Sequence, residues 1–263
     1  MSRSTAETLL RLERDAWVLY GTEGRARCGL DGGTPAAALD ALQPPAPARG
    51  RLLRVRLADA WLRYLVVNWP PGLRTSGERA AFLAHRFAEV HGVGAPEWVT
   101  QADRDAHDLP ALGCAAPAAV IAAVQAFAAR HGYRLTGIEA DFVATYNRLR
   151  SRFGEADGEA AALAVEHEGR LTVGLWRSGA WRGIRSQSVR DDGSGALRLM
   201  LEAWGREAAM AAGFGAKAGV PAEPGAAPPG GVLHAAGYRG ALPMGWRRGE
   251  TEGGTNTREG RAA

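Results

Sequence analysis

Runs of alternating apolar and polar residues predict two groups of β-strands. The runs TLLRLE, AWVLYG and RARCGL over residues 8–30 predict a strand meander, and a hairpin is predicted at 51–69. Three further runs, AALAVEH, RLTVGLW and AWRGIRSQSV, predict strands between residues 160 and 189. Both groups are therefore expected to contain hairpins.

Apolar residues at helical spacing separate and follow these strands. The clearest helix begins with a capping-box pattern at Thr75 and Glu78 and ends at Gly92. Further helices are predicted after Thr34, from Pro117 to Gly132, from Phe142 to Leu149 and from Leu197 to Ala208. The order of strands, helices, strands and helix favours an α/β fold with mixed or antiparallel pairing over a strictly alternating parallel barrel.

An Ala-Trp pair recurs at three predicted breaks between strands, and turn geometry predicts which way each tryptophan faces. With a tight turn just ahead of it, Trp17 is opposite Leu12 on an apolar face. With a three-residue turn at 177–179, Trp181 is opposite Leu175, again on an apolar face. Both tryptophans are therefore predicted to be core residues that pack across neighbouring strands.

The remaining copy, Trp61, is predicted to face a basic surface. With residues 58–59 as a two-residue turn, Trp61 shares its strand face with Arg54, Arg56 and Arg63. An arginine over an indole ring is a favourable cation–π pair, and both residue types are frequent at binding surfaces. We predict that these four residues form a partner-binding surface.

Composition excludes several classes of nucleotide enzyme. The chain has 263 residues and a formal net charge of +4, and Lys217 is its one lysine. A phosphate-binding loop ending in Gly-Lys-Ser/Thr, a kinase active site and a Schiff-base site each need a lysine, so each could only include Lys217. The sequence around Lys217 fits none of them. Because alanine and glycine are abundant together with arginine, we attribute the basic charge to coding bias rather than to a nucleic-acid surface.

Two acidic segments are weak candidates for a metal or catalytic site. The segment DRDAHD at 103–108 lacks the glycine and the distal glutamate of a calcium loop. The segment EHE at 166–168 is explained by a strand end that faces water. We therefore predict no catalytic residue, no metal site and no cofactor.

The sequence also predicts a cytoplasmic protein without a membrane span. The N-terminal segment MSRSTAETLLRLERD has no apolar signal region. The most apolar stretch, CAAPAAVIAAVQAFAA, is mostly alanine and is shorter than the roughly 20 residues that cross a bilayer.

Three segments carry a resemblance to a known family. They are RVRLADAWLRYLVVNWPPGLRTSGERAAFLAHRFAEVHG, PALGCAAPAAVIAAVQAFAARHGYRLTGIEADFVATYNRLR and AVEHEGRLTVGLWRSGAWRGIRSQSV. In layout and pattern, over about residues 8–240, the chain resembles the actin-like cytoplasmic proteins of type IV pilus and type II secretion assembly platforms (PilM-like and GspL-like). The resemblance implies an actin-like, two-lobed α/β fold of ribonuclease-H-like subdomains, with mixed, largely antiparallel sheets that contain hairpins.

The resemblance further implies a role in holding the cytoplasmic segment of an inner-membrane partner. The chain would then be a non-catalytic scaffold in the cytoplasm, peripheral to the inner membrane through that partner. No nucleic acid is expected, and the sequence leaves open whether the chain forms a homodimer. The first lobe is predicted at residues 1–152 and a reduced second lobe at 153–245, with a flexible linker at 213–231 and a disordered tail at 246–263.

The segments that match the family's phosphate loops depart from its pattern. The first, near LERDAW, has no glycine, and the second, VEHEGRLT, has Glu166 and Gly169 at the wrong spacing and no aspartate. Gly237 and Gly240 match an adenosine-side turn. We therefore predict no nucleotide-binding residue. Two alternatives stay open: an ATP-dependent phosphotransferase or ATPase that uses Glu166 or Glu168, and nucleic-acid binding through the basic surface around Trp61.

Overall fold

The computed structural model describes most of the chain. The described residues are 7–46, 50–94, 96–103, 109–153, 160–177, 179–190, 193–215, 231–236, 238, 241–242 and 246–252. Several predictions fall outside them: those for residues 104–108, most of the linker 213–231, Gly237 and Gly240, and the tail beyond residue 252.

Strands and helices alternate in groups along the chain. The strands are β1 (Thr8–Leu12), β2 (Ala16–Gly21), β3 (Gly24–Gly29), β4 (Leu52–Leu57), β5 (Arg63–Val67), β6 (Trp98–Ala102), β7 (Ala111–Pro117), β8 (Arg134–Ala140), β9 (Ala160–His167), β10 (Arg170–Arg177), β11 (Ala180–Ser188), β12 (Gly231–Ala236) and β13 (Trp246–Glu252). The helices are α1 (Pro35–Ala41), α2 (Ser76–His91), α3 (Ala118–His131), α4 (Asp141–Leu149) and α5 (Ser194–Gly215).

The same sheet topology occurs twice. Among the described residues, one five-stranded sheet has the order β3-β2-β1-β4-β8 and the other has the order β11-β10-β9-β12-β13. In each of them the first three strands form an antiparallel meander, and the remaining pairs are parallel. The two sheets define a first and a second lobe.

A smaller sheet is inserted into the first lobe. Its strands, in the order β5-β7-β6, lie in the sequence between β4 and β8, which pair directly with each other. Helix α2 packs on this inserted sheet through Leu83 and Phe87, which join Leu65 and Val67 in a separate apolar cluster. The sequence pattern does not predict β6 or β7: β6 has only five residues, and β7 is rich in alanine, which is uncommon in strands.

Two predictions that depend on neighbouring residues are confirmed. Trp17 is opposite Leu12 in the β1–β2 hairpin and is fully buried. Thr75 and Glu78 form a complete capping box at the start of α2, and Gly92 ends that helix with a left-handed backbone at φ 65°. The donors and acceptors of such caps lie within one helical turn, so their sequence pattern is sufficient to locate them.

The predicted hairpin at residues 51–69 does not form. β4 pairs in parallel with β1 on one side and β8 on the other, whereas β5 pairs with β7 in the inserted sheet. In place of the predicted turn, the chain forms a 3-10 helix at Asp59–Trp61, which connects β4 in the first lobe's sheet to β5 in the inserted sheet. Asp59 is buried there, unlike a residue of a solvent-exposed hairpin turn. The apolar face of β4 is nevertheless buried, as predicted (Leu53, Val55 and Leu57).

The third tryptophan hairpin is shifted by one residue. Trp181 is buried, as predicted, but it is opposite Trp176 instead of Leu175. The register changes at a bulge between Leu175 and Trp176. The shift at Trp181 arises nearer the turn: Arg177 is opposite Ala180, so two residues separate the paired strands instead of the predicted three.

The structure also differs from the predicted disordered tail at residues 246–252. These residues form β13, which pairs in parallel with β12 at the edge of the second lobe's sheet. Trp246 is 8% exposed and packs in the apolar cluster of that lobe. One large apolar side chain therefore anchors a segment whose other residues are small or polar.

Helix α4 packs tightly between the lobes. The ring of Phe142 lies 5.8 Å from the ring of Tyr64 and 5.8 Å from that of Trp181. It covers Gly174 of β10, where an added Cβ atom would lie 2.6 Å from both Phe142 Cζ and Trp181 Cζ3. Glycine at this position allows the close approach of the helix to the sheet.

We expect Gly174→Ala to lower the free energy of unfolding by about 1–3 kcal/mol, because the added methyl group overpacks a buried contact. Urea denaturation measures the loss. The matched control is Gly137→Ala in β8, where an added Cβ meets no atom within 4 Å. Equal stabilities for the two variants would contradict the close approach of α4 to β10.

Candidate functional site

Asp59 lies where both lobes and the inserted sheet meet. Its Oδ1 accepts hydrogen bonds from the Tyr64 hydroxyl at 2.5 Å and from the backbone N–H of Phe142 at 3.2 Å. The side chain of Thr172, in β10, also hydrogen-bonds to Asp59. One carboxyl group therefore joins the 3-10 helix to β5, α4 and the second lobe.

Burial changes the acidity of Asp59. Loss of solvent raises its pKa to about 6, and the nearby charge of Asp141 raises it too, although the hydrogen bond from Tyr64 acts in the opposite direction. A carboxyl group with a raised pKa keeps its proton in the folded state at a pH where the unfolded chain has lost it. Stability therefore falls as the pH rises through the interval between the unfolded and the folded pKa.

Asp141, the first residue of α4, is a second buried acid at this junction. Its Oδ2 forms an ion pair with Arg11 Nη2 at 2.6 Å, and its Oδ1 lies 3.7 Å from Arg56 Nε. A carboxylate in the first turn of a helix also interacts favourably with the helix dipole. Arg56, predicted to bind a partner, thus contacts the start of α4.

Two more residues of the predicted partner-binding surface have contacts within the first lobe. Arg54 forms ion pairs with Glu7 at 3.1 Å and with Glu139 at 3.3 Å. The Trp61 indole N–H donates to the backbone oxygen of Glu13 at 2.9 Å. Arg54 and Trp61 therefore each have a structural role in the first lobe.

The fourth residue lies on another sheet. Arg63 belongs to β5, and its guanidinium group lies 5.6 Å from the ring centroid of Trp98 in the inserted sheet. The four residues are thus distributed over β4, the 3-10 helix and β5, and no hairpin face unites them. Partner binding by these residues stays a prediction.

The tight turns of the two lobes meet at the segments matched to phosphate loops. The backbone N–H of Arg14, between β1 and β2, donates to the carboxylate of Glu168, between β9 and β10. Carboxylate oxygens of Glu13, Asp15 and Glu168 lie within 4.8 Å of one another. Converging negative charges repel a phosphate group, and the Arg14 N–H, which could otherwise donate to a phosphate, already has an acceptor.

These carboxylates do not by themselves define a metal site. Asp15 and Glu168 are exposed, and acidic groups often converge at protein surfaces without an ion. Glu166, the other acid of the phosphotransferase alternative, lies on β9, and an added Cβ atom at Gly193, just ahead of α5, would lie 3.3 Å from its Oε2. We assign no metal to this junction.

An apolar groove of about 810 Å³ lies between the inserted sheet and the first lobe. Its walls come from β6, β7, α3 and α4, and the β10–β11 hairpin of the second lobe closes one side. The large apolar side chains that line it include Ile121, Val143, Tyr146, Phe153, Trp176 and Trp181. A concave surface of this composition and size is suited to bind apolar side chains.

The rim of the groove exposes apolar residues beside a strand edge. Val99 on β6 is 47% exposed and Leu109 is 50% exposed, so both present apolar surface at the rim. β6 is the last strand of the inserted sheet, and within the described ranges no strand pairs with its outer edge. Unpaired backbone groups beside exposed apolar side chains are characteristic of surfaces that bind an extended peptide.

The sequence pattern does not reveal this groove. Its lining residues come from segments as distant as Leu57 and Trp181, which only the tertiary fold brings together. A usable signal is the segment WVTQA, whose β-branched and aromatic residues are typical of a strand.

We expect Asp59→Asn to remove the pH dependence that this buried carboxyl group contributes. The amide oxygen can still accept hydrogen bonds but the side chain cannot ionise, so the stability of the variant relative to the wild type should rise by about 2 kcal/mol from pH 4 to pH 7. Urea denaturation at several pH values measures this difference. Asp40→Asn, at an exposed carboxylate, is the control, and parallel pH curves for wild type and Asp59→Asn would contradict the burial of an ionisable group.

Comparisons with known proteins identify the fold. No family model and no curated protein sequence matches the chain. A solved structure from Bacteroides thetaiotaomicron, of a protein with an actin-like ATPase fold and unknown function, is 9% identical, with a TM-score of 0.51. The match covers 89% of this chain and 82% of that one.

Two further structures come from secretion and pilus systems. The PilM–PilN type IV pilus biogenesis complex is 16% identical, with a TM-score of 0.50 over 89% of this chain and 82% of that one. The cytoplasmic domain of EpsL, an inner-membrane component of the type II secretion system of Vibrio cholerae, is 13% identical over 94% of this chain and 84% of that one, with a TM-score of 0.46.

Structural matches at these sequence identities establish the fold alone. In the part of the chain that the structure describes, no helix is both long and apolar enough to cross a membrane. The repeated order of strands in the two lobes and the structural matches confirm the resemblance and the fold class predicted from the sequence. The chain has an actin-like, two-lobed, mixed α/β fold.

Proposed function

We propose that the chain is a non-catalytic scaffold that binds the cytoplasmic segment of an inner-membrane protein in the apolar groove beside β6. The observation that carries this proposal is the combination of a concave apolar surface with a strand edge that has no partner strand among the described residues. The similarity to the PilM–PilN complex supports a role in a pilus or secretion assembly platform. The proposed location is the cytoplasmic face of the inner membrane.

The groove suits an extended segment with alternating apolar side chains. Such a segment can form backbone hydrogen bonds with β6, while every second side chain enters the groove. Burial of one large apolar side chain contributes about 1.5–3 kcal/mol, so a few such anchors can offset the entropy lost on binding and give micromolar affinity. Val99 and Leu109 are positioned to contact these anchors at the rim.

The junction of the two hairpin turns supports the non-catalytic part of the proposal. A phosphate group placed there would lie among the carboxylates of Glu13, Asp15 and Glu168. The hydrogen bond between Arg14 and Glu168 also joins the two turns directly. A nucleotide would have to break this bond before its phosphates could reach the backbone of either turn.

We expect Val99→Asp and Leu109→Asp each to weaken partner binding about tenfold, equivalent to roughly 1.4 kcal/mol, because a charge replaces apolar surface at the rim. Immobilised wild-type protein should first capture an integral inner-membrane protein from solubilised membranes. Fluorescence anisotropy with a synthetic peptide of that protein's cytoplasmic segment then measures affinity.

Val90→Asp is the matched control for these variants. Val90 is 52% exposed on α2 and does not line the groove, so the substitution should leave the affinity unchanged. The groove is excluded as the binding site if the peptide binds both rim variants as tightly as the wild type. Failure to capture any inner-membrane protein would contradict the scaffold role itself.

The surface predicted from the sequence is proposed as an additional contact and can be tested in the same assay. If Trp61 contacts the partner, Trp61→Ala should weaken peptide binding by more than it lowers the free energy of unfolding. Its hydrogen bond to Glu13 predicts some loss of stability in either case. Unchanged affinity together with a clear loss of stability would assign Trp61 a structural role alone.

ATP with magnesium should leave the melting temperature unchanged, because carboxylates surround the place where phosphates would bind. Thermal unfolding with and without the nucleotide measures this. A clear stabilisation, or hydrolysis that Glu166→Ala abolishes, would favour the phosphotransferase alternative over the scaffold.

A further inference from the structure

A second cavity, of about 620 Å³, lies between the inserted sheet and the second lobe. It is lined by residues of β5 and the end of α2 on one side, and by residues of β10, β11 and α5 on the other. Its volume is in the range of about 300–1,000 Å³ that is typical of small-molecule sites. It shares Leu62 with the apolar groove, but none of the three turn carboxylates lines it.

The charged side chains that line this basic cavity are all arginines. Arg63, Arg170 and Arg185 line it together with His91, and none of the described lining residues is acidic. Among the residues that the structure describes, neither Arg63 nor Arg170 forms an ion pair with an acidic side chain. The cavity therefore concentrates positive charge that an anion could neutralise.

Arg170 and Arg63 lie close enough to affect each other. Burial lowers the pKa of Arg170 and the positive charge of Arg63 lowers it further, whereas the charge of Asp59 raises it. An anion bound between the two guanidinium groups would offset the repulsion between them.

The arginines are held in place by contacts with neutral side chains. Arg170 Nε donates to Ser186 Oγ at 2.8 Å, and Ser186 Oγ lies 2.9 Å from Thr172 Oγ1. Thr172 in turn hydrogen-bonds to Asp59, so a chain of polar groups connects the cavity to the lobe junction. Side chains fixed in this way need little reorganisation when a ligand binds.

The guanidinium groups of Arg63, on β5, and Arg185, on β11, each lie over an aromatic ring. Arg63 lies 5.6 Å from the ring centroid of Trp98, and Arg185 lies 5.4 Å from that of Trp204. Arg63 Nη1 also donates to the backbone oxygen of Leu62 at 2.9 Å, which further fixes its guanidinium group. Arg63 comes from the inserted sheet, whereas Arg185 comes from the second lobe, so one ligand could contact both.

Apolar side chains complete the lining. They are Leu62, Ile184, Leu199 and Met200. We propose that the basic cavity binds a small organic phosphate, with the phosphate at the arginines and the apolar body of the ligand against these side chains. A phosphate ester has three free oxygens and up to two negative charges, so it can accept hydrogen bonds from several arginines at once, whereas a carboxylate has two oxygens and one charge. This ligand would bridge the inserted sheet and the second lobe.

Isothermal titration calorimetry of the full chain tests the proposal with three probes: phenyl phosphate, inorganic phosphate and phenol. Phenyl phosphate should bind most tightly, and added salt should weaken its binding because the contact is ionic. Phenol, which lacks the phosphate, should not bind detectably. Failure of phenyl phosphate to bind at millimolar concentration would overturn the proposal, and so would equal affinity for phenol. Inorganic phosphate that binds as tightly as phenyl phosphate would overturn the assignment of an organic ester.

Three variants and a control place the ligand. Arg63→Gln and Arg170→Gln should each weaken phenyl phosphate binding about tenfold or more, because each removes a charged donor. Leu199→Glu adds a negative charge at a side chain that is 57% exposed, so it tests the cavity without changing a buried group and should weaken binding as well. Arg134→Gln, at an exposed arginine of β8 away from the cavity, should not. Unchanged binding in the first three variants would contradict this location. These titrations contain no membrane partner, so their outcome is distinct from that of the capture experiment that tests the scaffold proposal.

Discussion

The buried carboxyl group of Asp59 is the interaction on which the arrangement of the molecule depends. A buried carboxyl group without hydrogen bonds is strongly destabilising, and the donors here come from three different parts of the chain. Tyr64 belongs to the inserted sheet, Phe142 to α4 and Thr172 to the second lobe. These parts must therefore occupy one relative position for the carboxyl group to be satisfied.

The two cavities share this dependence. Leu62, three residues after Asp59, lines both the apolar groove and the basic cavity. The groove is lined mainly by apolar side chains, whereas the charged side chains that line the basic cavity are arginines. Because Leu62 belongs to both walls, a shift of this segment would change the shape of both cavities.

Structural features set by neighbouring residues could mostly be predicted from the sequence, whereas those set by distant residues could not. The capping box of Thr75 and Glu78 and the pairing of Trp17 with Leu12 depend on local geometry, so they could be predicted. The apolar run that follows Asp59 has the pattern of a returning hairpin strand, and only the tertiary fold shows that it joins another sheet. The groove could not be predicted, because its walls come from both lobes and from β6 and β7, whose sequences are weak strand signals.

The free edge of β6 also has a mechanical consequence. A segment that pairs along this edge would lie alongside β6. Tension applied along the segment would therefore load the backbone hydrogen bonds between the two in shear. Bonds loaded in shear share the force and break together, whereas bonds pulled open from one end break one at a time. A scaffold attached in this way to a membrane-anchored partner could resist pulling forces much larger than its equilibrium affinity suggests.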